Sequence, residues 1–154
     1  MSLKINKLKQ KVTQRFGIVV SAFNEPIILR LLQGCIKEFL NLGIVEKNIT
    51  VIHVPGAFEI PVAASVLARK KNIDAVVCLG AVIRGETLHF ELIAQQAAAG
   101  VMKVSLDTRK PIVFGVLTTD TIAQALSRSD DKNDNKGSEA ARVAVAMVNV
   151  LSKI

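Results

Sequence analysis

The sequence predicts an α/β domain: a doubly wound, flavodoxin-like three-layer α/β/α sandwich in which helices cover both faces of a four-stranded parallel sheet. Three observations carry this. Short apolar runs rich in β-branched residues alternate four times with stretches of helical periodicity. The third run, AVVCLGA, has no polar alternation and suits a strand buried on both faces. Strands separated by helices then close into one parallel sheet through right-handed crossovers.

Taken in order, residues 16–22 (FGIVVSA) read as the first strand, and Asn24 and Pro26 suit the start of a helix. That helix carries apolar residues at Ile28, Leu31, Leu32, Cys35, Ile36, Phe39 and Leu40, and Gly43 is its stop. Residues 49–54 form the second strand, 59–69 a helix, and 75–81 the third strand. A long helix is expected over 87–106, the fourth strand over 111–117, a short helix over 121–127 and a terminal helix over 138–151. No linker or repeat interrupts this order, so residues 1–154 read as one domain: a basic arm (1–15) followed by an α/β core (16–154).

Composition narrows the function. At 154 residues and 50% hydrophobic, the chain is long enough to bury roughly 70% of its unfolded surface in a single core. Cys35 and Cys78 lack neighbours at metal-ligand spacing, so buried free thiols are expected rather than a zinc site or disulfide framework. The net charge of +7 is concentrated at the start: Lys4, Lys7, Lys9, Lys11 and Arg15 precede the first acidic residue. Without interleaved aromatics, and with no Trp or Tyr anywhere, that arm argues against nucleic acid as the partner. No apolar run is long enough for a bilayer span, and residues 1–10 lack a signal-peptide core. A cytoplasmic protein without a membrane partner is expected.

Open parallel sheets bind ligands beyond the carboxyl ends of their strands. Phe23-Asn24-Glu25 follows the first strand, Pro55-Gly56-Ala57-Phe58-Glu59 the second, residues 82–89 the third and Thr118-Thr119-Asp120 the fourth. Phe23 could stack on a flat ring or simply cap the core. Asn24 has an alternative reading as a helix cap. Gly56 and Ala57 let backbone approach a ligand, or Gly56 serves an ordinary turn, while Glu59 could accept hydrogen bonds from hydroxyl groups. Gly85-Glu86-Thr87 opens the long helix, where free amides and the positive dipole end suit phosphate, provided Glu86 turns away.

His89 in the first turn is either a solvated residue or a general base, since the positive helix end favours a neutral imidazole. His53, inside an apolar strand, reads as structural. The polar stretch 127–137 reads as a solvated turn, although Arg128 and Lys136 could clamp a phosphate. Walker, dinucleotide-binding and nucleophile-elbow motifs are all absent.

Together, SAFN (21–24), PGAFEIP (55–61), LGAVIRGETLHFE (79–91), FGVLTTDT (114–121) and NKGSEAA (135–141) resemble the lumazine synthase family. The resemblance covers nearly everything after residue 15. It implies condensation of 5-amino-6-(D-ribitylamino)pyrimidine-2,4-dione with 3,4-dihydroxy-2-butanone 4-phosphate to 6,7-dimethyl-8-ribityllumazine, phosphate and water, without metal or cofactor.

Carried over by motif, Phe23 would stack on the pyrimidine ring, and Ala57, Phe58 and Glu59 would hold the ribityl chain. Val82 and Ile83 would line the ring pocket, Asn24 and Ala81 would also bind substrate, and His89 would shuttle protons. Gly85, Glu86 and Thr87 would form the phosphate site with Arg128, while Phe114, Arg128 and Lys136 would reach in from a neighbouring subunit. The implied assembly is a homopentamer, which in some members pairs as a decamer or closes into a 60-subunit shell; riboflavin synthase is the implied protein partner. Asp130-Asp131 and Asn133-Asp134 replace the small residues of many shell formers, which weighs against the shell. The competing readings are a non-catalytic assembly protein and a flavin-binding module. Intact Phe23, Glu59, His89, Arg128 and Lys136 disfavour the first, and the lack of a hydroxyl-rich loop after the first strand disfavours the second.

Overall fold

The computed structural model describes residues 13–154. Apart from its last three residues, the basic arm lies outside the described residues. The chain enters the sheet at Arg15, whose amide donates to Asp74 Oδ2 (2.7 Å) and whose carbonyl accepts from the Asp74 amide (2.8 Å). This pins together the starts of two neighbouring strands. The elements are β1 (Phe16–Ser21), α1 (Glu25–Asn41), β2 (Ile49–Val54), α2 (Ile60–Ala68), β3 (Ala75–Ile83), α3 (His89–Thr108), β4 (Ile112–Thr119), α4 (Ile122–Arg128) and α5 (Lys136–Leu151). Three short 3₁₀ turns, Glu46–Asn48, Ala57–Glu59 and Asp131–Asn133, complete them.

The strands are parallel in the order β2-β1-β3-β4, which gives the doubly wound three-layer sandwich. Ile18, Val20, Val77 and Leu79 pack with Leu31, Phe39 and Ala144 on the face covered by α1, α4 and α5. Val19, Val76 and Cys78 pack with Ile60, Ala64 and Val101 on the face covered by α2 and α3. Apolar side chains on both sides explain why β1 and most of β3 carry no polar alternation. Cys35 and Cys78 lie in these opposite layers with the sheet between them. Burial raises both thiols, Cys78 to about 12, which keeps them protonated and inert.

α1 ends as its glycine requires. Gly43 takes a left-handed φ of 88°, and the Ile44 amide reaches back to the Phe39 carbonyl (2.9 Å) in a Schellman closure. Four expectations need correction. β3 and β4 each run two residues past their expected ends because Val82 pairs with Thr118 and Ile83 with Thr119. That pairing continues in the Arg84 amide, which donates to the Thr119 carbonyl (2.9 Å); Gly85-Glu86-Thr87 therefore stays irregular, and α3 opens at His89 rather than Thr87. His53 is exposed, not buried, because β2 is an edge strand.

The stretch 127–137 is also more than a solvated turn. Asn135 is only 2% exposed. Its Nδ2 donates to the carbonyls of Arg30 (3.0 Å) and Ser129 (2.7 Å), and its Oδ1 accepts from the amides of Gly137 (2.8 Å) and Ser138 (3.3 Å). Capping by Asn135 starts α5 at Lys136, two residues before the expected start. The close approach of α1 and α5 here leaves no room for a side chain at position 137, where a Cβ would lie 1.9 Å from the Leu31 carbonyl oxygen. At Gly85, by contrast, a Cβ would meet nothing within 4 Å.

Gly137→Ala should therefore destabilise the protein by about 3 kcal/mol or more, since backbone must move, whereas Gly85→Ala should change stability by less than about 0.5 kcal/mol. Urea unfolding of the two variants checks this; equal midpoints would contradict the packing described.

Candidate functional site

The site opens where two neighbouring strands part. β1 pairs with β3 only as far as Val20 and Leu79, while β3 continues against β4 to Ile83. In a sheet of this order, β1 and β3 are the strands whose connections leave in opposite directions, and a crevice forms between their carboxyl ends. Asn24 spans it. Although it occupies the cap position of α1, its side chain makes no cap hydrogen bond; Nδ2 donates instead to the Ala81 carbonyl (3.0 Å). Its backbone is left-handed (φ 66°), a conformation asparagine tolerates better than most residues. The preceding Phe23 is turned outward, 73% exposed, on the wall of the crevice.

The opposite wall comes from β2. Ala57 is buried while Phe58 faces out, because the 3₁₀ turn closed by the Glu59 amide on the Gly56 carbonyl (3.2 Å) reverses the chain within three residues. Gly56 is extended (φ −150°), so its glycine is not needed for backbone freedom. A Cβ there would lie 3.0 Å from Glu59 Oε2, so the missing side chain leaves space for that carboxylate. Val82 and Ile83 form the floor, and Gly85, Thr87 and His89 the third side. The His89 amide donates to Thr87 Oγ1 (3.4 Å), and the helical ladder of α3 begins only with Leu92 to Leu88 (3.2 Å), leaving early amides of this 20-residue helix outside it.

The cleft so enclosed has a volume of about 490 Å³. It brings together Phe23, Asn24, Ala57, Phe58, Glu59, Ala81, Val82, Ile83, Gly85, Thr87 and His89. Glu86 is exposed and does not line it, as an anion-receptive helix end requires. Phe90 and Ile93 also line it and were not singled out by the sequence reading. The signal was available, since Ile93 lies four residues after His89 and shares its helix face. Apolar walls carrying a few hydrogen-bonding groups suit a flat ring with a hydroxylated substituent.

Phe114, Arg128 and Lys136 are not in this cleft. They line a second groove of about 610 Å³ beside the free edge of β4. There Arg128 donates to the Gln124 carbonyl (3.3 Å) and Lys136 pairs with Glu139. One chain thus carries the candidate residues as two separate sets. Between them stands an ion-pair cluster in which Arg84 bridges Asp120 (2.7 Å) and Glu91. The Glu91 carboxyl is held below its ordinary value by its own backbone amide and by Arg84. No group of three or more His, Cys, Asp or Glu that could hold a metal ion occurs among the described residues, and no helix among them is long and apolar enough to cross a membrane.

Residues 13–152 match the family of 6,7-dimethyl-8-ribityllumazine synthases. The chain is 49% identical over 140 residues to the 6,7-dimethyl-8-ribityllumazine synthase of Aquifex aeolicus (strain VF5), covering 91% of each protein. It is 51% identical over 140 residues to that of Albidiferax ferrireducens (91% of this chain, 87% of the relative). With that of Protochlamydia amoebophila the identity is 49% over 140 residues (91% and 81%).

The two demands on Asn24 can be separated by substitution. Asn24→Ala loses the bond to Ala81 and also meets the left-handed penalty, whereas Asn24→Gly loses only the bond, so the glycine variant should be more stable by about 1 kcal/mol. Urea midpoints in the reverse order would contradict this.

Proposed function

The chain belongs to the 6,7-dimethyl-8-ribityllumazine synthase family, and on that premise we infer that the cleft between β1 and β3 is where it condenses its two substrates. The reaction joins 5-amino-6-(D-ribitylamino)pyrimidine-2,4-dione and 3,4-dihydroxy-2-butanone 4-phosphate to give 6,7-dimethyl-8-ribityllumazine, phosphate and water, a step of riboflavin biosynthesis. The observation that carries the reading is the convergence of Phe23, Phe58, Glu59, Thr87 and His89 on one cleft.

In this reading Phe23 stacks on the pyrimidine ring, with Asn24 holding the loop, and Ala81, Val82 and Ile83 line the ring's edge. Ala57, Phe58 and Glu59 hold the ribityl chain, with the Glu59 carboxylate accepting from its hydroxyls. The phosphate lies at the amino end of α3, met by Gly85, Glu86 through its backbone, and Thr87, and by the Arg128 guanidinium. The substrate amine attacks the ketone and water leaves as the imine forms. A proton then leaves the carbon chain as phosphate departs, and the ribitylamino nitrogen closes the ring with loss of water. His89 takes up and returns protons in these steps. Holding amine and carbonyl together accounts for up to about 7–11 kcal/mol of the acceleration. No cofactor or metal enters this scheme.

Arg128, Phe114 and Lys136 complete the cleft of a neighbouring protomer. Supporting this are their placement in a separate groove at the free edge of β4 and the exposed apolar side chains beside it, Phe114, Val143 and Met147, which suit a subunit contact. The proposed assembly is a homopentamer, with decamers or a 60-subunit shell as its larger forms. Riboflavin synthase is its proposed protein partner and the cytoplasm its proposed location.

Mixing the two substrates with the protein tests the activity: lumazine absorbance and fluorescence should rise only when both are present, and their absence would refute the reading. His89→Ala should slow turnover without abolishing it, because general acid–base help is typically worth about 10²–10⁴-fold. Unchanged turnover would remove His89 from the mechanism. Arg128→Ala should chiefly raise KM for the phosphorylated substrate, and an unaltered KM would remove Arg128 from its site.

A further inference from the structure

Arg84 lies just outside the cleft and none of the roles above uses it, yet it joins the end of β3 to the end of β4 and to the first turn of α3, which carries His89. Its backbone still belongs to the sheet, since its amide donates to the Thr119 carbonyl (2.9 Å). Its Nε donates to Asp120 Oδ1 (2.7 Å) beyond the end of β4, and Nη1 donates to Glu91 in the first turn of α3. The guanidinium carbon lies 4.6 Å from the centre of the Phe90 ring, in cation–π contact. Phe90 immediately follows His89 and itself lines the cleft.

The three residues between Arg84 and Leu88, the cap position of α3, form no regular structure, and Gly85 has open space around it. The packing around Gly85 therefore supplies little to fix the height and rotation of the α3 amino end. The planar fork of Arg84, closed on a carboxylate from each side and laid against Phe90, adds to the packing of Ile93 a direct tie from that end to β3 and β4.

We propose that Arg84 is a positioning residue for the condensation, fastening the first turn of α3 to the ends of β3 and β4 so that His89 meets the reacting atoms. This rests on the role given above to His89. Arg84 acts through geometry, since its donors are engaged by Asp120 and Glu91 and none of the three lines the cleft. Its side chain is 47% exposed, and ion pairs at that exposure contribute little to stability. Removal should therefore leave the fold intact while loosening the site, and a displacement of about 1 Å can cost as much as about 10²-fold in rate.

The test is a double-mutant cycle on the full-length protein with His89→Ala and Arg84→Ala, reading kcat and KM for each substrate together with thermal melting. Arg84→Ala should lower kcat by about 10- to 100-fold with KM for the pyrimidine substrate nearly unchanged. Arg84→Lys should recover part of the loss, since a point charge pairs with one carboxylate but not with both and the ring. The doubly substituted protein should be scarcely slower than His89→Ala alone, because a residue acting through His89 has nothing left to position. Multiplying losses would overturn the proposal, as would an Arg84→Ala variant of normal kcat. If Arg84→Ala melts too low for kinetics, Asp120→Ala removes the acceptor of one arm of the fork and should show the same non-additivity with His89→Ala; additive losses there would also overturn it. A His89→Ala protein of unimpaired turnover would instead remove the role of His89, a failure distinguishable from additivity with an impaired His89→Ala.

Discussion

The parting of β1 from β3 after the Val20–Leu79 pair is the constraint on which the cleft depends. Up to that pair the two strands share hydrogen bonds and a packed interior on both faces, and no room exists for a ligand. Beyond it, β1 turns into α1 while β3 stays with β4 through Ile83, so the backbone of Ala81 to Ile83 is paired on one side only. The Ala81 carbonyl on the open side would be a buried acceptor without a partner, an expensive state. Asn24 supplies the donor, and in doing so fixes the turn that presents Phe23. One hydrogen bond thus links the topology of the sheet to the aromatic wall of the site.

A comparable economy holds the second groove. Asn135 gathers the carbonyls of Arg30 and Ser129 and the first amides of α5, so the residues between Arg128 and Lys136 have little freedom despite their polar composition. The bare backbones at Gly34 and Gly137 let α1 and α5 close around that amide, since a Cβ at Gly34 would lie 2.6 Å from it. Arg128 at the end of α4 and Lys136 at the start of α5 are therefore carried on anchored backbone, while both residues remain exposed at the groove. On the reading proposed here, the chain builds one half of a site at the ends of its central strands and the other beside β4, and offers each to a different neighbour.

Much of this was legible in the sequence, and the reasons differ by residue. The starts of β1 and β2 coincide with their apolar, β-branched runs, buried throughout in β1 and set against β1 at the sheet edge in β2. The ends of β3 and β4 do not, because Val82, Ile83, Thr118 and Thr119 become strand only by pairing with one another. The start of α3 was misplaced for a related reason: Gly85-Glu86-Thr87 has the composition of a helix opening, but the hydrogen bond from Arg84 to Thr119 keeps the chain in the sheet two residues longer. The rim was legible because parallel topology dictates where strands end. The interior place of Asn135 was not, since local polarity says nothing of α1 packing against it. The separation of Phe114, Arg128 and Lys136 from the cleft came from the family resemblance alone.

The central claim is that Phe23 to His89 on one chain and Arg128 on another make a single site. Combining two impaired variants in one assembly tests it most directly. His89→Ala and Arg128→Ala protomers, co-expressed so that they mix at random and assayed with the phosphorylated substrate far below its KM, should regain activity approaching about a quarter of the parent's, because some junctions then pair an intact His89 with an intact Arg128. Activity no greater than the average of the two variants alone, in assemblies verified to contain both, would mean that each chain must supply both residues itself and would contradict the account.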